Sequence, residues 1–217
     1  MTRVKTCGLN TDESVAAALS AGADYLGFIH YLASPRHVTL EQTAQLTQAI
    51  GRSAYSVQVV VDPDDALVDA LHKSSPCDFI QLHGSESVRR CADISLRTQR
   101  PIIKAISVRS AADVSAAQDY LPHVHALLFD AKPPSDDGFL PGGNGLQFDW
   151  SIVQQDWLQN HFWFLSGGLD VQNVAQAIAL TNAPAVDVSS GIEATPGAKD
   201  SAKIAAFVKA AKDADGE

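Results

Sequence analysis

A thiol, a carboxylate and an arginine stand at three points where an apolar run or a stiff turn breaks off. Cys7 closes the run "RVKTC" and is followed at once by Gly8 and a polar turn. Asp130 ends "ALLFD", where the apolar pattern would otherwise continue. Arg36 follows the rigid Ser34-Pro35 pair in "SPRHV". Brought into one site, the first two could act as general base and general acid. The third could clamp a carboxylate with two parallel N–H bonds. Each also has a plainer reading: Cys7 as a small apolar plug, Asp130 as a cap for the next element, Arg36 as a solvated loop residue.

Two further stretches, "LSGGLD" and "VSSGIE", set Gly167 and Gly168, then Ser189, Ser190 and Gly191, ahead of a helix or turn. Small residues of this kind let backbone N–H groups come close to an anion such as phosphate. His83, in "QLHG", is placed to contact a substrate. Lys5 and Lys104 fall inside apolar runs, where inward-facing ammonium groups would need acidic partners such as Asp187. His123 and His125 have the look of a metal pair but sit at the start of their strand, away from the other candidates, so no metal site is expected. Cys77 and Cys91 read as packing residues.

These residues must be positioned by strands and helices that alternate from end to end. Short β-branched or apolar runs begin at Arg3, Asp24, Ala54, Asp78, Pro101, Val124, Phe162 and Ala185, separated by alanine-rich or amphipathic segments. One of those segments opens with Thr39 and has Gln42 three residues on, the spacing of a capping box. Eight strand–helix units predict a single (β/α)8 TIM barrel domain over residues 1–217. A doubly wound open sheet is the alternative, but the first loop, "CGLNTD", lacks a dinucleotide-binding GxGxxG. In the barrel, Cys7, Arg36, His83, Asp130 and both small-residue loops fall at the C-terminal face, where such folds keep their active sites. Helix N-termini around that face would favour the Cys7 thiolate. The longest interval between strands holds a Pro/Gly-rich loop, residues 131–146, placed to close over the site.

Composition narrows the partners. A formal net charge of -9 argues against nucleic acid and anionic membranes. No secretory leader or long apolar span is evident, and three scattered cysteines make a poor disulfide framework, so the expectation is a reduced, cytoplasmic protein. Nothing marks an obligate interface; a monomer is the default and a homodimer the alternative. A phosphate cradle, an arginine for a second anion and an acid/base pair together suggest proton transfer on a small phosphorylated substrate, as in sugar-phosphate isomerases and epimerases.

The motifs "VKTCGL", "GADYLGFIHYLASPRHV", "FIQLHGSE", "LLFDA" with "GGNGLQFDW", "LSGGLDVQNV" and "VDVSSGIEATPGAKDSAKI" resemble, in order and over the whole chain, the phosphoribosylanthranilate isomerases of tryptophan biosynthesis. The resemblance implies an Amadori rearrangement of an aminoaldose to an aminoketose without metal or cofactor. It implies Asp130 as general acid at the ribose ring oxygen and Cys7, as thiolate, as the base at C2′. Arg36 would contact the anthranilate carboxylate, with His83 and Asp187 in the substrate pocket. Gly167, Gly168, Ser189, Ser190 and Gly191 would bind phosphate. The chain departs from commoner family residues at His30, at Ala33 in "ASPR", in the third strand "VQVVVDP" and at Asn144, none of which removes the acid, the base or the arginine.

Overall fold

The computed structural model describes residues 1–74, 76–131 and 147–214. Eight parallel strands close into a barrel in sequence order. They are β1 (Arg3–Cys7), β2 (Tyr25–Ile29), β3 (Tyr55–Val60), β4 (Phe79–Leu82), β5 (Ile102–Val108), β6 (Ala126–Ala131), β7 (Trp163–Leu165) and β8 (Ala185–Val188). Seven α-helices lie among the described residues: α1 (Asp12–Ala21), α2 (Leu40–Leu46), α3 (Asp65–Ser74), α4 (Val88–Thr98), α5 (Ala111–Ala116), α6 (Val174–Thr181) and α7 (Ser201–Asp213). None is long and apolar enough to cross a membrane.

Strand alternation sorts the side chains between two environments. Leu127 and Phe129 of β6 face the helices and pack with residues such as Leu26, Phe28 and Leu165. Ala126 and Leu128 face inward with Tyr25, Val57, Ile103 and Phe164, and Asp130 continues that inward face. Aromatic rings fill the N-terminal end of the barrel: the Tyr25 ring lies 5.2 Å from Phe164 and 5.9 Å from Phe79, both edge-on. Burying a ring such as Phe164 stabilises the fold by roughly 1.5–3 kcal/mol. His125 packs on Phe79 and Phe162 in this cluster, at the end of the barrel away from Cys7 and Asp130. The apolar floor leaves the C-terminal rim to Lys5, Cys7, Gln81, Asp130, Ser166 and Asp187, all buried.

Local signals account for several helix starts. Thr39 and Gln42 form the expected reciprocal capping box at α2. At α1 the cap is Thr11, paired reciprocally with Ser14. Asn10 donates through Nδ2 to the Gly197 carbonyl at 3.0 Å. The sixth strand–helix unit departs from the expected pattern. Its described residues carry only two 3-10 turns, Trp150–Val153 and Asp156–Asn160. Gln155 separates them in extended backbone, with its amide donating to the carbonyls of Ala111 and Ile152. A short antiparallel hairpin, β9 (Glu193–Thr195) and β10 (Ala198–Lys199), follows β8 and turns at Pro196-Gly197. The loop expected to close over the site, with Asn144, lies outside the described residues apart from Ala131.

Candidate active site

Cys7 ends β1 with its side chain inside the barrel, directly opposite Gly27 in the β1–β2 register. A Cβ added at Gly27 would lie 2.9 Å from Cys7 Sγ and 3.2 Å from Lys5 Nζ, so only glycine leaves room for the thiol and the ammonium together. Lys5, two residues earlier on the same face and fully buried, donates to Asp187 Oδ1 at 2.8 Å. Lys5 and Asp187 are register partners across the β1–β8 seam that closes the barrel. The other Asp187 oxygen accepts from Ser166 Oγ at 3.2 Å. Asp187, expected in the substrate pocket, is therefore seated on Lys5 and Ser166.

Burial pushes the Cys7 thiol above its ordinary range. Lys5 and Lys199 pull it down and Asp187 pushes it up, but loss of water is the largest effect. The thiolate expected at this position is thus disfavoured by burial, which raises the thiol. Gly8 makes room for Arg36. Its φ is +77°, and a Cβ there would stand 2.7 Å from Arg36 Cδ, so the glycine admits the arginine.

Arg36 is not a solvated loop residue; it is 4% exposed. Its Nε and Nη2 donate to the two oxygens of Glu193 at 2.6 and 2.9 Å, a fork-to-fork pair that fixes the guanidinium plane. Lys199 Nζ donates to the same carboxylate at 2.9 Å and to the Ser189 carbonyl, also at 2.9 Å. Burial alone would raise the Glu193 carboxyl, but Arg36 and Lys199 hold it below the usual carboxylate range. The β9–β10 hairpin thus supplies the carboxylate and the second cation that lock Arg36 beside Cys7.

Asp130 ends the inward face of β6. Its Oδ1 accepts from the Ala131 amide at 2.9 Å, and His83 Nε2 lies 3.2 Å from its Oδ2. His83 Nδ1 in turn lies 2.8 Å from Gln81 Nε2. If the amide donates there, the imidazole proton sits on Nε2 and points at Asp130. Among the described residues, Gln81 Oε1 is buried without a hydrogen-bond partner.

The small-residue loops meet at the same rim. Gly167 packs against Ala131 and Asp130, and Gly191 packs on the Leu169 carbonyl, so the loops after β7 and β8 touch. Ser190, Gly191 and Gly168 are partly exposed. Ser189 differs: its hydroxyl donates to the Cys7 carbonyl at 3.1 Å and accepts from Lys199, which leaves its backbone as the part suited to an anion. Lys104 finds its acid in Glu86, at 2.8 Å, rather than in Asp187. That pair braces the loop after β4, where Glu86 also accepts from the amides of Asp62 and Gly84.

Comparison with known proteins decides the family. The family model for N-(5'-phosphoribosyl)anthranilate (PRA) isomerase matches residues 4–210. The chain belongs to the PRA isomerase family. It is 47% identical to the N-(5'-phosphoribosyl)anthranilate isomerase of Parvibaculum lavamentivorans over 97% of this chain and 98% of that protein. A crystal structure of phosphoribosylanthranilate isomerase in complex with reduced 1-(o-carboxyphenylamino)-1-deoxyribulose 5-phosphate has a TM-score of 0.84 at 31% identity, covering 98% of this chain and 100% of that one. Monomers generated from the dimeric phosphoribosylanthranilate isomerase of Thermotoga maritima give 0.83 at 32% identity, with the same coverage. As a PRA isomerase, the protein is an isomerase of tryptophan biosynthesis on a TIM barrel.

Within this PRA isomerase, the sequence pattern had no place for Glu193, Lys199 or Gln81, while Ser166, one of the small residues after β7, binds Asp187 through its hydroxyl. Pro196-Gly197 between two short polar runs was the one local signal for the hairpin that carries Glu193 and Lys199. Gln81 shares a strand face with His83 by simple alternation, which the sequence could have given.

Proposed function

We infer that the chain converts N-(5-phosphoribosyl)anthranilate to 1-(2-carboxyphenylamino)-1-deoxyribulose 5-phosphate by general acid/base catalysis, with Asp130 as acid and Cys7 as base. The observation that carries this reading is the paired arrangement at the rim. A thiol on β1 and a carboxyl on β6 both face inward, each backed by its own buried polar chain.

Asp130 protonates the ribose ring oxygen as the ring opens to the iminium. His83 and the Ala131 amide hold that carboxyl in a fixed orientation. Cys7, once ionised, takes the C2′ proton, and the iminium nitrogen accepts the electron pair to give an enolamine, which tautomerises to the ketone. Because that nitrogen is the electron sink, the chemistry calls for no metal or cofactor. Arg36, held flat by Glu193, recognises the anthranilate carboxylate through its guanidinium. Backbone amides around Gly167, Gly168, Ser189, Ser190 and Gly191 take the phosphate. The bound phosphorylated product analogue of the related crystal structure supports a ligand of this class. Buried thiols and a lack of disulfide spacing support a reducing compartment, the cytoplasm. The T. maritima relative is dimeric; for this chain we take the monomer as the working state, to be checked by light scattering.

The test is the fluorescence decrease of enzymatically generated phosphoribosylanthranilate on adding purified protein. A first-order decrease proportional to enzyme is expected. A rate equal to the uncatalysed background, or turnover of a pentulose phosphate instead, would overturn the reading.

A further inference from the structure

Lys5 is a fully buried ammonium that the acid/base scheme leaves without a task. A buried charge is costly unless paired, and the barrel interior of a protein this size gains nothing by placing one beside a thiol for packing alone. Two contacts define its position. One is the 2.8 Å bond to Asp187 across the closing seam of the barrel. The other is the shared space over Gly27, which a single added methyl would close to both Lys5 Nζ and Cys7 Sγ. Taking Cys7 as the base, on which this inference rests, we propose that Lys5 is a positioning residue for it. Anchored by Asp187, its ammonium lies against the thiol and holds the negative charge that appears when the thiol proton leaves to solvent.

The surroundings fit this task. Lys5 Nζ and Cys7 Sγ border the same space over Gly27, and there the ammonium favours the thiolate by charge. Burial lowers the ammonium, yet the attraction of Asp187 and Cys7 together keeps it above its ordinary value, so it stays charged. The other groups facing this pair are few. The strand β2 presents Gly27 to Cys7 and Tyr25 to Lys5 in register. Asp187 comes from β8, Lys199 from β10, and Arg36 packs over Gly8 from the loop after β2. Asp187 raises the thiol and Lys5 lowers it, so the two residues act on Cys7 with opposite sign.

That opposition makes the test specific. Thiolate formation at Cys7 is followed by the absorbance difference at 240 nm against Cys7→Ser, and by pH-dependent iodoacetamide alkylation mapped to the Cys7 peptide. Lys5→Met should shift the Cys7 midpoint up by about one pH unit or more and lower kcat at neutral pH about tenfold, with KM within about threefold. Asp187→Asn should shift the midpoint down, and Lys5→Arg should restore most of the wild-type profile. Should Lys5→Met fold poorly, the downward shift in Asp187→Asn still stands as the expected result. A midpoint unmoved in a folded Lys5→Met, or shifts of the same sign in both variants, would overturn the role of Lys5. Thiol titration needs no turnover, so it separates this inference from the assignment of the reaction: an inactive wild type would refute only the latter.

Discussion

Replacing Glu193 by glutamine tests whether the hairpin positions the arginine. Glu193 is 7% exposed and its carboxylate serves two buried cations, Arg36 at 2.6 and 2.9 Å and Lys199 at 2.9 Å. The amide keeps the volume and one acceptor but puts N–H donors against a second donor and removes the charge that the two cations share. Removing one partner of a buried ion pair costs roughly 3–5 kcal/mol. Glutamine retains part of the bonding, so we expect the lower end, about 3 kcal/mol. For a chain of this size that is a fall in Tm of about 6–12 °C, read by circular dichroism. The pH dependence has a definite sign. Glu193 is held below its ordinary range, so its pairing contributes stability that is complete above the unfolded carboxylate value and lost as pH falls through the folded one. Glu193→Gln should therefore flatten the acid limb of the stability profile. With the guanidinium plane loosened, KM for phosphoribosylanthranilate should rise about tenfold while kcat changes little. A melt within about 2 °C of wild type together with an unchanged KM would refute the reasoning.

Two other outcomes follow from the same geometry. Burial raises the Cys7 thiol, so its thiolate grows with pH, and kcat/KM should climb between about pH 7 and pH 9. A profile flat across that range would contradict it. His83→Asn should lower kcat by about 10- to 100-fold with KM nearly unchanged, because Asp130 loses the contact that aims its Oδ2; equal kcat values would remove His83 from the account.

The eight strands were legible because each is a short β-branched or apolar run ended by a turn, and Asp130 stood out as a carboxylate ending one such run. The capping box at Thr39 was legible for the same local reason. What escaped the sequence depends on contacts between distant segments. Arg36 meets Glu193 157 positions away, and the strands that deliver Glu193 have three and two residues, too short to show a period. Direction was lost for Cys7, whose neighbours can be guessed but whose complete burial cannot. Lys5 was recognisable as needing an acid, and Asp187 is that acid because the barrel closes β1 against β8 in this register. Among the described residues after β6, two 3-10 turns stand where a helix was expected, with Gln155 in extended backbone between them and bonded to Ala111 and Ile152.

The central claim is that Cys7 and Asp130 carry the proton transfers. Its most direct test is the fluorescence-monitored turnover of phosphoribosylanthranilate by Cys7→Ala and Asp130→Asn beside wild type. Each variant should lose at least about a hundredfold in kcat while remaining folded. A near-wild-type kcat in either would contradict the role given to that residue.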